Sequence, residues 1–271
     1  MKLAVSNIAW GEEWDCAAFG FLAVNGISGI EVAPTRVWPH WQGISPRSIQ
    51  EFRDVANSAG LSISSLQAIL FHKPELQLFG SNQDRQAMHE HLCRCADLAA
   101  DLGAGCLVFG APKNRDRGAL SEEEALSIAA HFFAKVAEYY AERGVCLAFE
   151  ANPVEYACNF AVNSRTASRL VRMVDSPGLR LHLDTACLQL AGECAVEVIE
   201  QNADILGHFH VSEPYLGPFS SPAISHSRVA NALKNADYDA WAALEMRAGE
   251  PPLPALEQAT RYLRRTYGDK G

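Results

Sequence analysis

Acidic and imidazole side chains stand at the ends of five short apolar runs in this chain of 271 residues. These residues are Glu31, Glu150, Asp184, His210 and Glu245. Charged residues are depleted from strand interiors, and a buried carboxylate costs free energy unless it is paired or binds a metal. The last four form a mixed oxygen and nitrogen ligand set that suits Mn²⁺ or Mg²⁺ and also accepts Co²⁺ or Zn²⁺. The pattern therefore predicts one divalent metal bound by Glu150, Asp184, His210 and Glu245.

Two further histidines lie close to these predicted ligands in the sequence. We expect His210 to bind the metal because it is nearer the carboxyl end of its run, and His208 to be a packing residue that faces the helices. His182 shares a face with Asp184 one layer deeper, where it supports a ligand or simply packs. The alternative interpretation of the whole set is that these side chains make only hydrogen bonds and salt bridges within a barrel layer.

The elements that must position these residues are eight apolar runs, which alternate with segments of helical period. The runs span residues 3–6, 29–32, 63–70, 106–109, 145–149, 179–183, 205–211 and 241–246. Parallel strands need a crossover between them, and a helix fits each interval. Eight such units with no linker predict an α/β fold, a single (β/α)8 TIM barrel domain over residues 1–271. A doubly wound open sheet is the structural alternative, but no Gly-x-Gly-x-x-Gly loop follows the first run.

Several helix starts are readable from capping residues. Ser45 followed by Pro46 predicts an N-cap and a first helical position, and Ser121 with Glu124 predicts a capping box. Ser164 is predicted to cap a helix over residues 165–174, and a closing amphipathic helix is predicted over residues 254–267.

Composition excludes several classes of protein. The formal net charge of −9, with no stripe of lysine and arginine, disfavours nucleic acid as a partner. No segment approaches the roughly 18 uncharged apolar residues of a membrane span, and the first residues lack the pattern of a signal peptide. We therefore expect a cytoplasmic protein with no membrane partner. Its eight cysteines are expected to be free thiols, since several lie inside apolar runs.

Four short motifs in this order resemble those of the sugar phosphate isomerase/epimerase superfamily, the xylose isomerase-like TIM barrels. They are Phe-Glu-Ala-Asn-Pro (149–153), His-Leu-Asp-Thr (182–185), His-Phe-His-Val (208–211) and Leu-Glu (244–245). The resemblance covers nearly the whole chain. It implies a metal-dependent isomerase or epimerase of a small sugar or keto-polyol, in which Glu150 and Glu245 bind the metal and move a proton through an enediolate. It also implies a possible homo-oligomer.

The chain departs from the ketose 3-epimerase pattern at two positions. Cys187 stands where those enzymes have a histidine, and Leu216 stands where they have an arginine, and both of those side chains orient substrate hydroxyls. One alternative is a metal-dependent dehydratase of a keto-polyol such as an inosose-like or dehydroshikimate-like compound, with Glu213 or His226 as an extra general acid. A second is a catalytically inactive sugar-binding barrel. Cys187 also replaces a zinc-binding histidine of the apurinic-site endonucleases, which disfavours DNA repair.

Polar side chains just beyond the strand ends are candidates for contact with a small-molecule carbohydrate-like substrate, because loops at that face carry function in barrels. They are Asn7, Glu31, Gln67, His72, Asn152, Glu213 and Arg247. After the fourth run, Lys113, Arg115 and Arg117 are interpreted as a solvated basic loop, with binding of a substrate anion as the alternative.

Overall fold

Eight parallel strands follow one another in chain order and form a closed barrel in the computed structural model, which describes residues 1–268. The strands are β1 (Lys2–Ser6), β2 (Gly29–Val32), β3 (Ser62–Leu66), β4 (Cys106–Phe109), β5 (Cys146–Glu150), β6 (Leu179–Asp184), β7 (Leu206–Ser212) and β8 (Trp241–Glu245). Parallel pairing of β1 with β8 closes the sheet. The predicted (β/α)8 fold class is confirmed.

Helices surround the barrel and cover the outer face of its strands, which explains why the strands are apolar on both sides. They are α1 (Asp15–Val24), α2 (Pro34–Val37), α3 (Pro46–Ser58), α4 (Asn82–Leu102), α5 (Glu122–Glu142), α6 (Ser164–Val174), α7 (Thr185–Leu190), α8 (Ala195–Asn202), α9 (His226–Asn235) and α10 (Pro252–Tyr267). Within residues 1–268, no helix has the length and apolar character needed to cross a membrane. All eight cysteines are free thiols.

Most of the predicted caps are present. Ser45 accepts a hydrogen bond from the backbone N–H of Ser48, and Ser121 with Glu124 forms the predicted capping box. The prediction for Ser164 is wrong by one residue, because Asn163 is the N-cap and Ser164 is the first helical residue. Asn and Ser cap equally well, so two adjacent cap residues leave the boundary open in the sequence. The hydroxyl of Ser164 donates instead to Glu193 at 2.6 Å.

The third strand is shorter than predicted. It ends at Leu66, and the chain then turns through left-handed conformations at Ala68 (φ 52°) and His72 (φ 58°). Ile69 and Leu70 remain buried in this turn. The apolar run therefore extends past the end of the strand because the loop that follows is also packed against the barrel. Hydrophobicity alone does not distinguish a buried strand from such a buried loop.

Candidate metal centre

The carboxyl ends of β5 to β8 bring the four predicted ligands to one place. Asp184 and His210 are register partners on adjacent strands. Nδ1 of His210 lies 3.4 Å from Oε2 of Glu245 and 3.9 Å from Oδ2 of Asp184. Ligand atoms of Glu150, Asp184 and His210 all lie within 4.8 Å of one another. One divalent ion therefore has three carboxylates and one imidazole within reach.

Burial of the carboxylates is the largest electrostatic effect in this group, and their mutual repulsion adds to it. Burial, together with the negative charges of Asp184 and Glu245, raises the pKa of Glu150 to about 7. Burial, with the charge of Glu245, also raises the pKa of Asp184. Burial and neighbouring negative charge thus make ionisation of Glu150 and Asp184 harder, and a bound cation would relieve that cost.

The two ring nitrogens of His210 have different environments. Nε2 lies 2.9 Å from Oε1 of Glu31, whereas Nδ1 is buried and has no hydrogen-bond partner. Burial opposes protonation of this ring, but the charges of Glu31 and Glu245 prevail and raise the pKa of His210 well above its usual value. When Nε2–H donates to Glu31, Nδ1 is the atom that faces the carboxylates. This is the carboxylate–histidine arrangement found behind bound metals, so the residues present fit a metal at Nδ1.

Glu31 lies beneath the ligands and does not reach the cavity. It is fully buried, and it accepts hydrogen bonds from Nε2 of His208 and from the hydroxyl of Ser65, both at 2.8 Å. Burial opposes its ionisation, but His210 and His208 hold the pKa of Glu31 well below its usual value. The structure therefore places Glu31 as a support for histidines, not at the position predicted for a substrate contact.

The prediction that His208 faces the helices is wrong. His208 and His210 both bond to Glu31, so both point into the barrel. Residues two apart on a strand share a face, which is the physical reason. His182 occupies the deeper layer predicted for it, buried, with Nε2 3.6 Å from Oε1 of Glu150.

Asp184 is held by a serine hydroxyl and a backbone N–H whose contacts the sequence did not predict. Its Oδ2 accepts a hydrogen bond from the hydroxyl of Ser212 at 2.6 Å, and its Oδ1 accepts one from the backbone N–H of Cys187 at 2.7 Å. The thiol of Cys187 lies 3.9 Å from Oε1 of Glu150. Any residue at position 187 supplies that backbone N–H, so the exchange of histidine for cysteine leaves the support of Asp184 unchanged.

Arg115 is fully buried, which corrects its interpretation as part of a solvated loop. Its guanidinium donates to the backbone oxygen of Glu150 at 2.7 Å and to Oδ1 of Asn152 at 2.9 Å. It also lies 4.8 Å from the ring centroid of Phe149, within range of a cation–π contact. Arg115 therefore fixes the end of β5, and it turns the amide N–H groups of Asn152 away from itself. Nothing in the sequence separates it from the exposed Lys113 beside it.

A cavity of about 740 Å³ opens above these ligands. Four of the residues predicted to contact substrate line it, namely Gln67, His72, Asn152 and Arg247. Gln67 also donates to Oε1 of Glu245 at 2.8 Å and to the hydroxyl of Ser6 at 2.7 Å. Its side chain therefore connects the cavity wall to Glu245, one of the four predicted ligands.

Asn7 and Glu213 lie outside the wall of this cavity. Oδ1 of Asn7 accepts a hydrogen bond from the backbone N–H of Ala33 at 2.9 Å. Glu213 accepts one from the backbone N–H of Ala223 at 2.9 Å and lies 2.8 Å from Nε2 of His226. Polar residues after a strand also tie loops together, and these two do so. Neither Glu213 nor His226 is placed as the extra acid that a dehydratase would use.

Gly110 leaves the space that Glu150 occupies. A Cβ atom at this position would overlap Oε2 of Glu150. We expect Gly110→Ala to displace the carboxylate and to raise the Kd for Mn²⁺ about tenfold, the size of effect that follows loss of a supporting contact at a metal site. Isothermal titration calorimetry measures this. Gly43→Ala is the matched control, because a Cβ there meets open space. An unchanged Kd in Gly110→Ala would show that Glu150 does not bind the ion from this position.

Comparison with known proteins gives the same architecture. Residues 19–266 match the family described as xylose isomerase-like TIM barrels. L-ribulose 3-epimerase of Methylomonas sp. (strain DH-1) is 23% identical over 269 residues, which cover 97% of this chain and 90% of that protein. D-psicose 3-epimerase from Clostridium cellulolyticum H10, crystallised with D-tagatose, superposes over 100% of both chains with a TM-score of 0.84 at 15% identity. The IOLI protein, crystallised with a zinc atom, covers 98% of this chain and 96% of its own, with a TM-score of 0.74 at 15% identity. At these identities the superpositions show the fold alone.

Proposed function

The chain belongs to the family of xylose isomerase-like TIM barrels, and we propose that within it this protein is a metal-dependent isomerase or epimerase of a small sugar or keto-polyol. The observation that carries the proposal is the unpartnered Nδ1 of His210, which faces Asp184 and Glu245 at the floor of a cavity wide enough for a small ligand. The similarity to L-ribulose 3-epimerase supports the same class of reaction.

Glu150, Asp184, His210 and Glu245 would hold the ion. Bound there, a divalent metal would polarise a substrate carbonyl and make the neighbouring carbon more acidic. The oxygen-rich ligand set favours Mn²⁺ or Mg²⁺, and the imidazole also admits Co²⁺ or Zn²⁺. With the ion bound, Glu31 would hold Nδ1 of His210 towards it by accepting a hydrogen bond from Nε2–H.

Glu150 and Glu245 are the groups proposed to move the proton. Both carboxylates would hold the ion, so they would lie beside the carbonyl that it polarises, where each can accept a proton from the neighbouring carbon and return it. Gln67 donates to Oε1 of Glu245 and so fixes the orientation of the second carboxylate. Return of the proton to a neighbouring carbon gives isomerisation, and return to the opposite face of the same carbon gives epimerisation.

Metal content tests the proposal directly. After loading with Mn²⁺ and dialysis, the parent protein should retain about one ion per chain by plasma mass spectrometry, whereas Glu150→Gln and Glu245→Gln should retain almost none, because each loses a charged ligand. Glu155→Gln is the control, since Glu155 is exposed and lies outside the cavity wall. A parent protein that retains no metal would overturn the site. A loaded protein should then incorporate deuterium from D₂O beside the carbonyl of its ketose substrate.

A further inference from the structure

Two exposed aromatic side chains stand at the mouth of the cavity. Among the large apolar residues that are exposed within residues 1–268, Phe71 and Tyr215 are the aromatic ones, with 56% and 55% of their surface accessible. Both line the cavity above the metal ligands. A lone exposed aliphatic residue is ordinary, but aromatic rings grouped at one cavity are typical of a ligand site.

Local contacts fix the position of both rings. Phe71 lies in the tight turn between Ala68 and His72, with its ring centroid 4.1 Å from that of His72. Tyr215 has a left-handed backbone (φ 59°), and its N–H donates to the hydroxyl of Tyr156 at 3.0 Å. A left-handed conformation costs free energy in a residue other than glycine, and such strain concentrates at ligand sites. Both residues are thus held in position although their rings stay exposed to solvent.

The wall of the cavity combines polar groups such as Gln67, His72, Asn152 and Arg247 with apolar surface from Val108, Ala186, Cys187 and Leu216. A sugar hydroxyl pressed against such apolar side chains loses hydrogen bonds to water and gains none. The volume of about 740 Å³ lies within the range of pockets that enclose drug-sized ligands. The cavity therefore has room for more than a single monosaccharide, and part of its wall is apolar.

We propose that the substrate is a keto-sugar that carries a second neutral ring, as a glycosyl-substituted ketose does. Its reacting carbons lie at the metal ligands, and the second ring packs against Phe71 and Tyr215. Apolar faces of sugar rings bury against aromatic side chains, which supplies affinity without charge. Lys73, Lys113 and Arg247 line the cavity together with the carboxylates of Glu150, Asp184 and Glu245, and Lys73 also lies 3.5 Å from Glu75, so positive charge in the wall is met by negative charge within the protein. The inference rests on the proposed function and names the substrate class of the same site.

Calorimetric titration of the Mn²⁺-loaded chain with three probes tests the inference. The probes are fructose, isomaltulose, which is fructose with glucose attached at O6, and fructose 6-phosphate. We expect isomaltulose to bind about tenfold more tightly than fructose, since stacking of one or two rings is worth that factor. Phe71→Ala and Tyr215→Ala should each raise the Kd of isomaltulose about fivefold and leave the Kd of fructose and of Mn²⁺ unchanged. Val154→Ala is the control, because Val154 is also exposed, at 63%, but lies outside the cavity wall.

Three outcomes would overturn the inference. Equal affinity for fructose and isomaltulose, or variants that weaken the binding of both sugars alike, would show that the second ring is not recognised. Tighter binding of fructose 6-phosphate than of isomaltulose would show that the site recognises an anionic group instead. Conversion of an oligomeric parent to a monomer by Phe71→Ala, with isomaltulose binding intact, would make the rings an interface between copies. Mn²⁺ retention is measured first and separately. A parent that binds no metal contradicts the proposed function, while isomaltulose binding that Phe71→Ala abolishes would still support the aromatic subsite.

Discussion

Glu31→Gln should raise the Kd for Mn²⁺ by about 10- to 100-fold, the range seen when the partner of a metal-binding histidine is lost. Glu31 accepts hydrogen bonds from His208 and lies 2.9 Å from Nε2 of His210. A glutamine side chain would offer an N–H to Nε2, which moves the ring proton to Nδ1. Nδ1 is the nitrogen that faces Asp184 and Glu245, and once protonated it cannot bind a metal.

The matched control for this variant is Ser65→Ala. It removes one hydrogen bond to Glu31, from a hydroxyl 2.8 Å away, but leaves the carboxylate and both histidines in place. Its Kd for Mn²⁺ should change less than threefold, a small fraction of the effect of losing the acceptor itself. Equal Kd values in the parent and in Glu31→Gln, with native circular dichroism, would show that His210 does not depend on Glu31 for its tautomer.

Metal affinity should fall about tenfold for each pH unit below 7, because the ion must then displace the proton on Glu150. The raised pKa of Asp184 and the raised pKa of His210 make the decline steeper. Between pH 7 and pH 5 we expect the Kd for Mn²⁺ to rise at least about 100-fold. Titration calorimetry at half-unit steps of pH measures this. A flat profile over that window would contradict the assignment of Glu150 as a ligand.

The metal-free protein should show the opposite dependence in its stability. The pKa of Glu150 is higher in the folded state, about 7, than in the unfolded chain, so its contribution is present at acid pH and is lost as pH rises through 7. That loss amounts to about 3 kcal/mol, from 1.36 kcal/mol for each unit of difference in pKa. The Tm without metal should therefore fall from pH 5 to pH 8. Glu150→Gln, which cannot ionise, should show a smaller decline.

Strand ends were the most predictable part of this molecule. Strands of a parallel barrel are buried on both faces, so each reads as an apolar run, and a charged residue at its end is conspicuous. The same rule located Glu150, Asp184, His210 and Glu245, which the structure brings together. Their roles as ligands stay a prediction until metal binding is measured.

The supporting residues could not be predicted in the same way. Ser212 on β7 contacts Asp184 on the neighbouring strand β6, and Arg115 contacts Glu150 from the loop after β4. Each contact therefore joins residues that are far apart in the sequence. Serine and arginine at strand ends and in loops are common, and only the register of the barrel decides which of them touches a ligand. The orientation of His208 was open to sequence reasoning, since a spacing of two residues fixes a common face.

The hydrogen bonds of Glu31 join β2 to β7, two strands that are separated in the barrel by β1 and β8. All four proposed ligands belong to the second half of the chain, whereas the carboxylate that sets the tautomer of His210 belongs to the first. A fragment of residues 146–268 would thus carry every ligand and yet leave that imidazole free to rotate and to exchange its proton. If the four residues bind an ion as proposed, high affinity for it is expected only once the two halves of the chain have come together during folding. A bound ion would then stabilise the closed barrel, and its retention would report that all eight strands are paired.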